Sequence, residues 1–252
     1  MPKGFGHRFY HQWGQAEDLC VFRVTVQETD VRIMAGQDLT EEAGRLIRRY
    51  RAQIEAYISH HPEFRDSLVP VEVAADAPPV IQSMASAAQQ TGVGPFAAVA
   101  GALAEYVGQA LRPCSAEVIV ENGGDIFMAS VRRRVLGIYA GTSPLSGKIA
   151  LSIAPNQMPC GICTSSGTVG HSLSFGKADA VTVVAGSTAL ADACATALGN
   201  RIGGAGDIAD GLAWAEQIPG VDGVLILVGE TIGAWGQIHL TQTSKSAASP
   251  VE

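Results

Sequence analysis

The chain has 252 residues, of which 47% are hydrophobic and 16% are charged, so it contains enough apolar material for one large core. The net charge is −7 and the longest basic run is Arg132–Arg134, which argues against a nucleic-acid partner. No uninterrupted apolar segment reaches the roughly 18 to 20 residues of a membrane span. Five cysteines, an odd number, favour a reduced, cytoplasmic protein. The small charged fraction favours a homodimer.

Strand and helix patterns follow each other at the start of the chain. Residues 20–26 and 31–34 alternate between apolar and polar, which predicts a hairpin with its turn at Thr29–Asp30. From Thr40, apolar residues recur at helical spacing, and Pro62 ends the pattern. We therefore expect a helix from Thr40, with Thr40 as its N-cap.

Two more helices are predicted before residue 110. The first begins at Pro78 or Pro79, runs to about Gln90 and is closed by Gly92. The second, 96–107, is almost entirely small and apolar, which is typical of a central buried helix. Its Gly101 costs about 1 kcal/mol relative to alanine, so we expect a strand or a ligand to approach closely there.

The second half of the chain reads mainly as strands. Strands are predicted at 117–120, 126–128, 131–139, 148–153, 180–185, 223–228 and 234–240, and helices at 188–198 and 209–217. We expect a single domain of two intimately packed lobes over residues 1–242. The polar tail, 243–252, is expected to be flexible.

The helix predicted at Thr188–Leu198 carries its polar side chains on one stripe. Thr188, Asp192 and Thr196 are four residues apart, so they lie on one face, and the other residues are Ala, Leu or Cys. A buried carboxylate is costly unless it is paired or binds a metal. Asp192 and Thr196 could bind Mg²⁺, which takes few protein oxygens and completes its shell with water and phosphate oxygens. Alternatively, Thr188 caps the helix and Asp192 pairs with a backbone amide or an arginine.

A loop rich in glycine and hydroxyl groups precedes that helix, at 164–170. Backbone N–H groups and hydroxyls of such loops bind phosphate. It is not a Walker loop, because the Gly-Lys-Thr/Ser ending is absent. His171 is a candidate acid or base, although such loops and single histidines also have purely structural roles. The candidate phosphate-binding residues are Thr164, Ser165, Ser166, Gly167 and Thr168.

A second glycine-rich element, Asn122-Gly123-Gly124-Asp125, lies between two predicted strands. Paired glycines admit a ligand close to the backbone. They also form plain hairpin turns, so both interpretations stay open. The pair Cys160 and Cys163 lacks the second cysteine pair that zinc would need, and we interpret it as incidental.

Together these segments resemble the ApbE family, the FAD:protein FMN transferases. Asn122–Asp125 is similar to that family's Asn-x-Gly-Gly-Asp element, and Thr164–Gly167 to its Ala-Thr-Ser-Gly segment. Ala191–Leu198 is similar to its Ala-Asp-Ala-Leu-Ala-Thr-Ala-Leu helix, and the helix around Gly101 lies where the family has a Lys-Gly-containing helix. Over about residues 5–240, the chain is still more similar to an uncharacterised family of ApbE-like proteins.

The resemblance implies an α+β fold, ApbE-like and T-fold-related, with antiparallel sheets flanked by helices. It implies a site for FAD or FMN, formed by Asn122–Asp125 and Thr164–Thr168. It also implies Mg²⁺ on Asp192 and Thr196 beside the pyrophosphate, with His171 and Asp192 as catalytic candidates. In the transferases, FMN passes from FAD to a threonine of an acceptor protein and AMP is released.

The chain departs from the transferases after His171. They continue with His-x-x-Asp-Pro-x-Thr-Gly, whereas residues 172–179 here read Ser-Leu-Ser-Phe-Gly-Lys-Ala-Asp. Ala100 also stands where the family has the lysine before its mid-helix glycine. Two functions therefore follow from the sequence. One is a Mg²⁺-dependent flavin transferase or pyrophosphate-cleaving enzyme, and the other is a non-catalytic flavin-binding or assembly module.

Overall fold

A computed structural model describes residues 18–167 and 176–242. The strands in this part of the chain are β1 (Cys20–Val26), β2 (Thr29–Ala35), β3 (Val118–Asn122), β4 (Asp125–Ala129), β5 (Arg134–Gly137), β6 (Ile149–Ile153), β7 (Cys160–Ser165), β8 (Ala180–Ala185), β9 (Val221–Val228), β10 (Thr231–Gly236) and β11 (Leu240–Gln242). The helices are α1 (Thr40–His60), α2 (Glu63–Asp66), α3 (Pro79–Thr91), α4 (Val99–Leu111), α5 (Thr188–Arg201) and α6 (Ile208–Glu216).

The strands form two sheets. The larger has eight strands in the order β1-β2-β3-β4-β7-β8-β9-β10, and the smaller has three, β11-β6-β5. Every strand pair among the described residues is antiparallel. Helices pack on one face of the large sheet and the small sheet packs on the other. The predicted α+β fold of antiparallel sheets flanked by helices is confirmed.

Alternation along each strand assigns its residues to these two faces. In β7, Cys163 belongs to the core beneath the helices, whereas Cys160 and Ile162 belong to the core beneath the small sheet. The predicted hairpin at the start of the chain is confirmed, but its turn is at Gln27–Glu28. Thr29 and Asp30 are already paired in β2, opposite Val26 and Thr25.

The helix at Thr40 is confirmed, but Thr40 is not its N-cap. Leu39 occupies the cap position and makes no side-chain hydrogen bond to the helix. Asp38 lies just before it, and its Oδ1 accepts hydrogen bonds from Thr40 N at 2.9 Å and Thr40 Oγ1 at 2.6 Å. The helix predicted at 78–90 is confirmed as α3, which Gly92 closes with φ 74°.

The buried helix predicted at 96–107 begins later and runs further. Pro95–Ala98 is a 3₁₀ turn that leads into α4. A close approach at Gly101 is confirmed, and among the described residues it is made by helix α5 and not by a strand. A Cβ atom on Gly101 would lie 2.4 Å from Thr188 O and 2.7 Å from Asp192 Cβ. The predicted loop at 164–170 also starts later, because Thr164 and Ser165 end strand β7.

Candidate functional site

The candidate site begins where α4 and α5 cross antiparallel. Asp192, on α5, has 9% of its surface exposed, and its Oδ2 accepts a hydrogen bond from Gly101 N at 2.8 Å. Gly101 is the third residue of α4, so its N–H is one of those that a helix leaves without an internal partner. The sequence left open whether Asp192 pairs with a backbone amide, and it does. Ser187, not Thr188, is the N-cap of α5, with its side chain accepting from Leu190 N.

A second carboxylate joins the same two helices one turn further along. Glu105 Oε2, on α4, accepts hydrogen bonds at the start of α5 from Ser187 Oγ (3.0 Å), Thr188 N (2.7 Å) and Ala189 N (3.2 Å). Each helix therefore provides a carboxylate for the N-terminus of the other. Sequence reasoning missed Glu105. A signal for Glu105 was present in the sequence, because it is the only acidic residue of an otherwise apolar helix and follows Gly101 by four residues.

The bend between β3 and β4 lies beside this junction. Asn122 Nδ2 donates to Ala100 O at 3.1 Å, so both Asn122 and Asp192 hold the first turn of α4. Gly123 and Gly124 have φ of 71° and 114°, which only glycine adopts readily. They form the hairpin turn that places Asp125 opposite Cys163 in the sheet register.

Asp125, Cys163 and Asp192 form one group under the helices, which we call the Asp192 cluster. Burial raises the pKa of Asp125 to about 7; the hydrogen bond with Cys163 lowers it and the charge of Glu121 raises it. Burial, followed by the negative charge of Asp125, raises the pKa of Asp192 well above its usual value. Among residues 18–167 and 176–242, no lysine or arginine forms an ion pair with either aspartate.

Two of the candidate phosphate-binding residues, Thr164 and Ser165, lie at the end of β7 on opposite faces of the large sheet. Ser165 lies opposite Val181, whose side chain belongs to the helix-side core, so Ser165 shares a face with Asp125. Thr164 points to the other face, where its hydroxyl is 2.8 Å from that of Thr182. The backbone of Thr164 still contacts the bend, because its N–H donates to Gly124 O at 3.3 Å.

The next residues lead out of the described part of the chain. Ser166 is half-buried, and Gly167 N donates to Ala178 O at 2.9 Å. A Cβ atom on Gly167 would lie 2.3 Å from Gly176 O, so the last residue of the first described segment contacts the first residue of the second. Thr168 and His171 lie outside the described residues.

Strand β7 and helix α5 run side by side in the same direction. At one end, Gly161 contacts Thr188. At the other end, Gly167 contacts Gly176, which in turn contacts Gly199 near the end of α5. Ser165 therefore lies alongside the middle of α5, where Thr196 is half-buried one turn after Asp192. On the same stripe, the fully buried Thr188 Oγ1 has no hydrogen-bond partner among the described residues.

This set of oxygens fits Mg²⁺ better than a transition metal. The described residues contain no group of three His, Cys, Asp or Glu side chains that could hold a metal. Mg²⁺ needs no such group, because it is usually held by one or two carboxylates together with waters and phosphate oxygens. Asp192 keeps lone pairs beyond the one that Gly101 uses, and the hydroxyl of Thr196 is a second hard oxygen.

The two cysteines of β7 lie on opposite faces of the sheet, three residues apart on one strand. Both are buried, and burial raises the pKa of Cys160 to about 12 and that of Cys163 well above its usual value. They cannot meet in a disulfide. All five cysteines are free thiols. No helix of the described residues is long and apolar enough to cross a bilayer.

This fold, with its acidic junction beside a Gly-Gly bend, defines an ApbE-like protein. The sequence of residues 11–217 matches the model of the family described as "AbpE bacteria", and the chain belongs to that family. Its relatives include the UPF0280 protein of Methanococcus aeolicus, 42% identical over 222 residues, which cover 86% of this chain and 90% of the relative. The UPF0280 protein of Methanospirillum hungatei is 44% identical over 215 residues, covering 84% and 86%.

Solved structures of two flavin transferases share the fold. The flavin transferase ApbE from Vibrio cholerae matches with a TM-score of 0.59 and 13% identity over 86% of this chain and 96% of that one. The flavinyl transferase ApbE from Pseudomonas stutzeri, in its apo form, matches with a TM-score of 0.55 and 12% identity over 89% and 95%. At these identities the likeness concerns the fold alone.

Proposed function

We propose that this protein binds FAD together with Mg²⁺ at the junction of α4, α5 and the β3–β4 bend. The main support is the Asp192 cluster. Two neighbouring carboxyl groups, the buried Asp192 and the half-buried Asp125, lie there without a basic partner among the described residues. Such an arrangement is costly in a purely structural role and is typical of functional sites. A divalent cation would favour the ionised form of both carboxyl groups and offset the charge that burial makes costly.

The described residues divide the proposed task between them. Asp192 and Thr196 would hold Mg²⁺, and Ser165 and Ser166 would contact phosphate oxygens from the end of β7. The residues Asn122–Asp125 would lie against the nucleotide at the bend, where glycine leaves the backbone accessible. When bound, Mg²⁺ neutralises phosphate charge and so favours cleavage of the pyrophosphate.

The proposed reaction divides FAD between its two phosphates. Attack by water breaks the bridging P–O bond and yields FMN and AMP. Attack by a threonine hydroxyl of an acceptor protein yields an FMN–threonine phosphoester and AMP, and the hydroxyl proton passes to a base. His171 is our candidate for that base, and it lies outside the described residues.

A second candidate function is a non-catalytic flavin-binding or assembly module. One observation favours it: Asp192 already accepts a hydrogen bond from the start of α4, so the fold satisfies this carboxylate in part without a metal. The sequence after His171, which lacks the transferases' Asp-Pro-x-Thr-Gly segment, favours it as well.

The two functions share one binding experiment and differ in a product assay. We expect FAD to bind more tightly with Mg²⁺ than with EDTA, and Asp192→Asn to remove this difference. Asp222→Asn, at a half-buried aspartate on β9, is the control and should keep it. If wild-type protein binds no FAD, both functions are wrong. Release of AMP and FMN, monitored by chromatography, would identify the pyrophosphate-cleaving enzyme, and release of AMP only when a threonine-containing acceptor protein is added would identify the transferase. FAD recovered intact in both assays would identify the module.

We also propose that the protein works in the cytoplasm as a homodimer. The five free thiols are what a reducing compartment maintains. The low charged fraction of the sequence supports a surface that pairs with a second copy. Sedimentation equilibrium would test the dimer, and a single species at the mass of one chain would refute it.

A further inference from the structure

Glu105 ties α5 to α4 through three donors at the start of α5. The N-cap serine of α5 holds Leu190 N only at 3.4 Å, so the carboxylate from α4 provides much of the capping. This carboxylate is separated from the α5 donors by more than eighty residues of chain, so the bonds join two elements and do more than stabilise one helix.

The two carboxylate contacts between α4 and α5 form a closed arrangement. Gly101 and Glu105 are one turn apart on α4, and Thr188 and Asp192 are one turn apart on α5. Glu105 meets the start of α5 and Asp192 meets the start of α4, so the pair of contacts sets how far one helix can slide along the other. The close contact at Gly101 brings the two helices too near each other for a Cβ atom to fit between them.

The two contacts differ in what a cation would do to them. Under the proposed function, Asp192 shares its oxygens between Gly101 N and the cation, which weakens its hold on α4. Glu105 is on the far side of this turn and keeps all three of its donors. It then becomes the carboxylate that keeps α5, and with it Asp192 and Thr196, in place.

We propose that Glu105 is a positioning residue for the Mg²⁺ site on α5. It acts through the start of α5 and has no contact of its own with the ion. This inference rests on the proposed function. Outer residues that orient a metal ligand typically change metal affinity by about 10- to 100-fold when they are removed.

The test is a titration with Mn²⁺, which suits the same oxygen ligands and can be followed by electron paramagnetic resonance without flavin. Glu105→Ala should raise the Mn²⁺ concentration at half-saturation by about tenfold. Glu105→Gln should recover most of the affinity, because its amide oxygen still accepts the N–H bonds. Glu105→Asp, shorter by one methylene, should not. If Glu105→Ala fails to fold, the Gln and Asp variants carry the test.

Glu117→Ala is the matched control, because it removes a partly buried carboxylate that bonds an arginine on the far side of the sheet. It should lower the melting temperature and leave Mn²⁺ half-saturation unchanged. Unchanged Mn²⁺ affinity in Glu105→Ala, or an equal loss in Glu117→Ala, overturns the inference alone. No Mn²⁺ binding by the wild-type protein, together with no effect of Mg²⁺ on FAD binding, overturns the proposed function and this inference with it.

Discussion

The molecule holds two groups of acidic side chains that differ in their partners. In one, Arg134 donates to Asp18 and Glu117 at 2.7 Å each, and Ser130 also donates to Glu117. We call these four residues the Arg134 cluster. In the Asp192 cluster, the two aspartates receive hydrogen bonds from backbone N–H groups and a thiol, and neither forms an ion pair within the described part of the chain.

The pKa values move in opposite directions for this reason. For Asp18, the hydrogen bond from Arg134 lowers the pKa. For Glu117, burial raises the pKa, but hydrogen bonds from Ser130 and Arg134 outweigh it and the net shift is downward. In the Asp192 cluster, burial dominates and the shift is upward. Charge compensation is typical of a structural cluster, and its absence at the Asp192 cluster is the observation that supports our proposal of a bound cation there.

The largest effect should come from removing the cation of the structural cluster. Arg134→Met leaves Glu117 partly buried without its charged partner, so the free energy of unfolding should fall by about 3 kcal/mol. Urea denaturation followed by circular dichroism measures it. Arg133→Met, at the exposed neighbour, is the control and should change little. A loss below about 1 kcal/mol for Arg134→Met would show that the cluster is not held by its arginine.

Next in size is the steric contact beside the Asp192 cluster. Gly101→Ala places a methyl group 2.4 Å from Thr188 O, and it should lower the free energy of unfolding by about 2 kcal/mol despite the better helix propensity of alanine. Gly206→Ala meets no atom within 4 Å and should be close to neutral. Equal stability of the two variants would contradict the tight junction of α4 and α5.

Two substitutions that each replace a carboxyl group by an uncharged amide should then change the free energy of unfolding in opposite directions. In metal-free buffer at pH 8, Asp125→Asn should raise the free energy of unfolding by about 1 kcal/mol, because it removes a carboxyl group whose pKa burial raises to about 7 and which is therefore costly to ionise in the folded protein at this pH. Glu117→Gln should lower it by about 1 kcal/mol, because it weakens the hydrogen bonds with Arg134. The same thermal or urea unfolding series measures both. Destabilisation by both would mean that the two clusters are alike.

The smallest effect concerns pH and the Arg134 cluster. A carboxyl group whose folded pKa is lowered contributes stability above its unfolded pKa and loses it as the pH falls through the folded value. The difference in stability between wild type and Glu117→Gln should therefore be full at pH 7 and shrink from about pH 4.5 downward. Urea midpoints at pH 7, 5 and 3 would measure it, and a difference that grows on acidification would refute it.

Local patterns in the sequence were sufficient for most elements and for part of the site. Helical spacing and the Pro79 and Gly92 signals predicted α3, and the run Ala180–Ala185 predicted β8, because these features depend on neighbouring residues alone. The stripe of Thr188, Asp192 and Thr196 follows from helix geometry in the same way. Strand β7 was not predicted, since its small and polar residues read as a loop.

What only the tertiary structure decided is which of these residues meet. Gly101 and Asp192 are 91 positions apart, and Glu105 and Thr188 are 83 apart. No local periodicity contains such contacts, because they depend on how two helices pack across a sheet. The strand register likewise placed Ser165 on the helix side and Thr164 on the other. The sequence determined that α5 would bury a carboxylate, and the packing of α4 against α5 determined what that carboxylate contacts.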